Sequence, residues 1–419
     1  MNKLTSKFYL VGIKGNGLCS LACYLKDLGH EVLGSDVSEE FHTDFILKER
    51  GIKVNSFNDD NITEKYIYII GYSQKENIES KKIYDCGYEY YMYGDFIRLL
   101  DKEVIAVSGT HGKTSTAKIL STLLKNEDVS YIIGDGSGYG SKKSNLLVLE
   151  ACEYMNHFHC YLPYISIINN IDFDHPDFFK NEKMLIDSFQ KFANRSQYIV
   201  VNGDDERCFR LVHDNKTTFG FNEYNDYVIK IIDESSNGYV IKINDRFFSL
   251  PLYGIHNIYN FTACFVVCDK FFKIDIKSLE LELPKRRMEE YRYKNNILID
   301  DYAHHPNEII ALNNSLRHKY KDKELIIIFQ PHTYIRTFEY KEGFINSLSL
   351  YDRIYIYNTF LSRCNYDERY EKKVNNIFKM FNKINEDEII NLVSKYQNKV
   401  YVFCGAGNLN KIIYKIIKS

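Results

Sequence analysis

The run Gly109-Thr-His-Gly-Lys-Thr-Ser115 gathers the residue types that hold a polyphosphate. Gly109 and Gly112 let backbone N–H groups approach phosphate oxygens, and Thr110, His111 and Ser115 share the same loop. Lys113 carries a charge that reaches β- and γ-phosphates, and the Thr114 hydroxyl suits Mg2+. Only two residues separate Gly109 from Gly112, against four in the usual phosphate-loop pattern. A plain glycine turn shares this outline but gives no reason for Lys-Thr at its end.

A second glycine turn lies near the N-terminus, at Gly12-Ile-Lys-Gly15-Asn-Gly17, with Ser35-Asp36 downstream. An acid about 20 residues after such a turn is the ribose contact of a dinucleotide fingerprint, but the glycine order differs from Gly-x-Gly-x-x-Gly. On spacing alone a redox dinucleotide, another phosphate ligand and a tight turn all stay open. Glu150 and His175 each follow an apolar run, and His175 sits in Asp172-Phe-Asp-His175. A hard oxygen donor and an imidazole downstream of a phosphate loop suit Mg2+ beside ATP phosphates. Taken singly each reads as a solvated strand-end residue, and so does Glu153. Asn257, beside His256 and Asn260 after Gly254, reads by itself as an ordinary helix cap. Arg287, Asp301 and His304 flank a loop before Pro306. His332 and Arg336 follow another apolar run, where a guanidinium could grip a carboxylate bidentately or lie on the surface.

Short apolar strands and helices must place these groups. Val104–Val107 reads as a buried strand and 117–124 as a helix, so the phosphate loop opens onto a helix N-terminus. Strands over 8–12, 31–34 and 66–70 with a helix over 18–28 give a βαβ pattern and a parallel sheet. Strands over 146–149, 165–168 and 198–201 continue the phosphate-loop unit, and a β-rich stretch follows over 227–250 with a turn at Gly238. Strands over 296–299, 325–329, 354–357 and 400–403 build a third unit. The expected class is α/β in three domains: 1–100, Rossmann-like; 101–285, a central phosphate-loop domain with a parallel sheet; and 286–419, a second Rossmann-like domain.

The 419 residues are 45% hydrophobic and 26% charged, enough to bury cores, and the formal net charge of −2 argues against a nucleic-acid surface. No apolar tract is long enough to span a membrane, and no signal peptide precedes the first strand. The ten cysteines are scattered; Cys19/Cys23 and Cys264/Cys268 fall in apolar helical patterns, as reduced core thiols of a cytoplasmic protein do. Nothing in composition sets an oligomeric state.

The motifs Gly12-Ile-Lys-Gly-Asn-Gly17, Gly109-Thr-His-Gly-Lys-Thr114, Glu150-Ala-Cys-Glu-Tyr154, Asn170-Ile-Asp-Phe-Asp-His-Pro-Asp177, Gly254-Ile-His-Asn257, Arg286-Arg-Met-Glu289, Asp300-Asp-Tyr-Ala-His-His-Pro306 and Phe329-Gln-Pro-His-Thr-Tyr334 fall in the order seen in the Mur ligases. From Val11 to Gly407 the chain resembles that family, and within it the branch that adds L-alanine to UDP-N-acetylmuramate. The resemblance implies ligation through an acyl phosphate in peptidoglycan precursor synthesis, with ATP and Mg2+ as cofactors. It implies that Gly12, Gly15, Gly17, Ser35 and Asp36 hold the UDP part, and that Glu150 and His175 join Thr114 as metal donors. Asn257 then lies by the adenine, Arg287 and Asp301 contact the nucleotide on closure, and His304, His332 and Arg336 form the amino-acid side. Some relatives carry a carbamylated lysine near the position of Gln190; Lys191 is adjacent, and no modification is expected. Leu283, Asn408 and the stretch 360–367 depart from the family pattern, which bears on amino-acid selection and closure. A murein peptide ligase or another amino-acid-adding member is the nearest alternative. Folylpolyglutamate synthase, a relative, fits the loop and N-terminal layout less well. From other classes come a non-ligating nucleotide-binding protein and a nicotinamide-dependent dehydrogenase, of which the dehydrogenase leaves Lys113, Glu150 and His175 unexplained.

Overall fold

The computed structural model describes residues 6–175, 178–235, 237–276, 281, 283–361 and 366–418. Parts of two quoted stretches, 176–177 and 362–365, lie outside the described residues. Three sheets follow one another along the chain.

The first sheet has five parallel strands in the order Lys53–Ser56, Glu31–Asp36, Lys7–Val11, Ile67–Ile70 and Tyr90–Met92. Parallel strands need crossovers, and the helices Asn16–Asp27, His42–Glu49 and Ile78–Cys86 supply them. The buried face of Asn16–Asp27 runs from Leu18 to Leu25 and includes both Cys19 and Cys23. The nine described cysteines are free thiols.

The second sheet has ten strands. Its parallel middle places Tyr198–Asn202, Ile165–Ile168, Glu103–Ser108 and Leu146–Glu150 side by side, with Ser130–Ile132 beyond. Antiparallel hairpins finish both ends, Gly138–Tyr139 at one and Tyr227–Ser235, Gly238–Ile243 and Arg246–Leu250 at the other. The sheet is therefore parallel through its middle, as the sequence suggested, with antiparallel hairpins added at both ends. The helix after the phosphate loop begins at Lys113, four residues before its apolar run, so Lys113 and Thr114 lie in its first turn.

The third sheet runs Glu289–Tyr293, Asn296–Asp301, Val400–Cys404, Leu325–Phe329, Arg353–Ile356 and Asn382–Lys383, with only the first pair antiparallel. Its central strands are buried on both faces, which explains their unbroken apolar runs. Arg286 ties the entry to this unit together. Its guanidinium donates to Gly407 O at 2.9 Å and Gly405 O at 2.7 Å, and pairs with Asp300 at 3.2 Å. Burial pushes the Asp300 carboxyl up to about 6 despite that arginine.

Candidate active site

Strand Glu103–Ser108 feeds the phosphate loop, and the neighbouring strands deliver Glu150 and the segment 169–175 beside it. Gly112 has a φ of +80°, and a Cβ there would stand 2.6 Å from Asn260 Oδ1, so only glycine lets the loop lie on the helix Ile255–Val267. The loop is pinned from below. Thr110 N donates to Asn170 O at 3.1 Å, His111 N to Asn170 Oδ1 at 2.8 Å, and the Thr110 hydroxyl to Asp172 O at 2.9 Å.

The Lys113 ammonium folds over the loop onto Gly109 O at 2.6 Å and Thr110 O at 3.0 Å, and it pairs with Glu153 at 2.9 Å. Burial alone would lower its pKa, but Glu153 and the nearby Glu150 carry it well above the ordinary lysine value. Lys113 is therefore a fixed cation at the loop. Glu153, indistinguishable from a solvated residue in the sequence, has a side chain only 2% exposed and stands 3.8 Å from His175 Nε2.

Glu150 closes its strand. Its carboxylate accepts from Gly134 N at 2.7 Å, and the Thr114 hydroxyl beside it favours the charged form. A Cβ on Gly134 would lie 2.4 Å from that carboxylate, so this glycine makes the approach possible. Burial raises the Glu150 carboxyl, with Lys113 opposing. His175 adopts φ +57°, outside the range most side chains favour, and its ring packs 4.5 Å from that of Tyr154. Burial lowers its pKa against the pull of Asp174 and Glu153, keeping the imidazole neutral with a lone pair to donate. Thr114 and Glu150 place a hydroxyl and a carboxylate together at the phosphate loop, oxygen donors of the kind Mg2+ takes, while the His175 imidazole lies against Glu153.

The third sheet brings its own groups against this edge. Arg336 Nη2 lies 3.2 Å from both oxygens of Asp174, and Tyr340 donates to Phe173 O at 2.9 Å. Burial would raise the Asp174 carboxyl, but Arg336 and His175 hold it well below the usual carboxylate range. His332 Nδ1 is 3.4 Å from Arg336, and its ring is 5.4 Å from that of His304. Burial lowers His304 to about 4 and His332 to about 3, so both are neutral at pH 7. Asp301 accepts from Met288 N and Ala303 N, each at 2.8 Å, and Arg287 lies 3.9 Å from Glu308.

His111 links the two units. Its Nε2 is 3.3 Å from Asp172 Oδ2 and its Nδ1 is 3.5 Å from Glu308 Oε1. Burial would lower its pKa, but the two carboxylates bring it up to about 9. A histidine raised in the folded state stabilises fully below its unfolded value near 6.5, and that contribution is lost as pH rises through about 9. We expect His111→Gln to cost stability at about pH 6–7 and little at about pH 10. Tm measured for both proteins across that range checks this; a difference independent of pH would contradict it.

Three of the expected contact residues also hold neighbouring parts of the protein. The fully buried Ser35 hydroxyl donates to Glu79, which also accepts from Tyr9, Asn58 and Asn61. The Asp36 carboxylate accepts from Lys14 N at 2.7 Å and Val37 N at 2.8 Å, bracing the glycine turn, while Gly12 N donates to Ser35 O at 2.9 Å. Gly15 N closes the turn on Gly12 O at 3.0 Å, and Gly17 lies against the Tyr93 ring. Asn257 donates to Tyr253 O at 2.8 Å and accepts from Asn260, so its amide braces its own helix start. Glu308, Asp172 and Asp174 carry no role that the sequence reveals. Glu308 sits at the third helical position after His305, where it reads as an ordinary capping box.

Residues 7–100 match the Mur ligase family catalytic domain, 107–268 the Mur ligase middle domain, and 286–407 the Mur ligase glutamate ligase domain. The chain is 38% identical, over 98% of its own length and 98% of the relative's, to a UDP-N-acetylmuramate–L-alanine ligase from Lactiplantibacillus plantarum. Its fold is similar to that of the UDP-N-acetylmuramate-alanine ligase of Thermotoga maritima, with a TM-score of 0.82 at 22% identity, covering 98% of each chain. It is similar also to a murein peptide ligase from Psychrobacter arcticus, with a TM-score of 0.73 at 19% identity, over 99% of this chain and 98% of that one.

Proposed function

The chain belongs to the Mur ligase family, and on that footing we propose that it joins L-alanine to the lactyl carboxylate of UDP-N-acetylmuramate while ATP is split to ADP and phosphate. The identity of substrate and amino acid follows the Lactiplantibacillus relative. The observation that carries the chemistry is the meeting of the Lys113 loop with Arg336 through the single segment Asp174-His175. One cleft then holds a phosphate-binding cation and a carboxylate-binding cation.

A carboxylate acylates poorly because its leaving group would be an oxide. Attack of one carboxylate oxygen on the γ-phosphorus makes an acyl phosphate and releases ADP. The alanine ammonium gives up a proton to solvent, the amine adds to the acyl carbon, and the tetrahedral centre collapses with loss of the second N–H proton as phosphate leaves with that oxygen. Lys113 stabilises charge on the transferring phosphoryl group. Thr114, Glu150 and His175 would hold Mg2+, which supplies further neutralisation of phosphate charge when bound. Arg336 orients the alanine carboxylate, and the neutral His304 and His332 place no like charge beside the incoming ammonium. Contacts of the third unit with Asp172, Phe173 and Asp174 close the cleft and keep water from the acyl phosphate.

In this reading residues 1–100 bind the UDP-sugar, 101–285 bind ATP through Gly109–Ser115 and Asn257, and 286–419 bring Arg287, Asp301 and the amino-acid groups. Gly12, Gly15 and Gly17 take the diphosphate, while Ser35 and Asp36 shape that turn. No helix among the described residues is long and apolar enough to cross a membrane, and we place the enzyme in the cytoplasm, beside its ATP supply.

Two measurements test the reading together. Phosphate release with UDP-N-acetylmuramate and ATP should depend on L-alanine, with the other amino acids weaker. Calorimetry should show binding of the UDP-sugar and none of NAD. Tight NAD binding without a response to the UDP-sugar would favour the dehydrogenase alternative. Release driven equally by a peptide would favour the murein peptide ligase.

A further inference from the structure

We propose that His111, Asp172 and His305 form a site for one divalent transition-metal ion of the zinc, cobalt and nickel class, separate from the Thr114, Glu150 and His175 donors. Each of the three residues offers a ligand atom, and these atoms lie within 4.8 Å of one another. His111 Nε2 is already 3.3 Å from Asp172 Oδ2.

The surroundings orient the ligands as a metal site requires. Asp172 Oδ2 accepts from the Asn307 amide at 2.6 Å, and Oδ1 from Phe173 N at 3.0 Å, which fixes the carboxylate plane. The second nitrogen of His111, Nδ1, faces Glu308 Oε1 at 3.5 Å. A carboxylate behind an imidazole, with the far nitrogen aimed at a ligand position, is the usual outer support of a metal-bound histidine. His305 is 5% exposed, its ring lies 5.1 Å from that of His111, and its Nε2 is buried with no hydrogen-bond partner. A buried polar atom left unpaired costs free energy, and a metal ion would satisfy it.

Two imidazoles and one carboxylate select a borderline metal. Mg2+ prefers six oxygens, whereas zinc, cobalt and nickel accept this mixed set and leave a position open for water or a phosphate oxygen. Proton accounting is simple. His111 releases its Nε2 proton to solvent and keeps Nδ1–H toward Glu308. His305 shifts its ring proton to Nδ1, giving up the long 3.4 Å contact from Asn307 N, while Glu308 continues to accept from His304 N and His305 N. Because His111 and Asp172 come from the second sheet's unit and His305 from the third's, a bound ion cross-links the closed pair.

The test is a titration of untagged, chelator-treated protein with Co2+ alone, followed by visible d–d absorption. The intense band of a low-coordinate site should saturate at one equivalent in wild type, apart from the weak absorption of any six-coordinate Co2+ on the Thr114, Glu150 and His175 donors. His305→Asn keeps a side chain that caps the helix and should weaken Co2+ binding at least about 10-fold, whereas Glu150→Gln should leave band and affinity unchanged. Should His305→Asn fail to fold by circular dichroism, Asp172→Asn is judged by the same loss. Absence of a band in wild type, equal affinity in the ligand variant, or loss of the band only in Glu150→Gln would overturn the site.

Discussion

Lys113→Ala should lower L-alanine-dependent phosphate release by about 10²- to 10³-fold or more, the scale of removing one electrostatic stabiliser from a transition state, about 3–4 kcal/mol. The ammonium is placed by two loop carbonyls and by Glu153, so no other cation among the groups described round the loop duplicates it. The variant also leaves the Glu153 carboxylate, 2% exposed, without its partner, and a buried unpaired charge destabilises the fold in its own right. Lys113→Ala with Glu153→Gln separates the two effects. The double variant should recover thermal stability and stay inactive. Recovery of turnover along with stability would mean that Lys113 acts as an ion-pair partner and not on phosphate.

Glu150→Gln keeps size and shape but replaces the charged oxygen donor of the Thr114, Glu150 and His175 set. Phosphoryl transfer should fall roughly 30- to 1000-fold, about 2–4 kcal/mol, and the Mg2+ concentration for half-maximal rate should rise. The substituted amide could still face Gly134 N through its oxygen, so the backbone contact at 2.7 Å offers no reason for a loss of fold. Titrating Mg2+ against initial rate checks both parts; normal turnover with an unmoved Mg2+ dependence would remove Glu150 from the metal set.

The elements were legible where periodicity was strong. Buried parallel strands such as Leu325–Phe329 are continuous apolar runs flanked by polar breaks, and they lie where the pattern puts them. The hairpin ending the second sheet at Gly138–Tyr139 was not, because two residues carry no period. The phosphate loop was legible because its residue types have one joint use. Glu153, Asp174 and Glu308 were not, since a lone acid after a strand or in a first helical turn has a commoner solvated or capping role. Their importance is a matter of which residue another unit places opposite: Arg336 before Asp174, His111 before Glu308. Asp36 shows the reverse case, a residue whose position fits a ribose contact while its oxygens hold Lys14 N and Val37 N.

The central claim is that the substrate carboxylate is activated by phosphorylation before the amine attacks. UDP-N-acetylmuramate labelled with oxygen-18 in its lactyl carboxylate, turned over once with ATP and L-alanine, tests it by mass spectrometry of the released phosphate. Transfer of one labelled oxygen from carboxylate to phosphate, matched to the amide product, is the predicted result. Unlabelled phosphate accompanying amide formation would contradict the acyl phosphate, and phosphate release without amide would contradict ligation altogether.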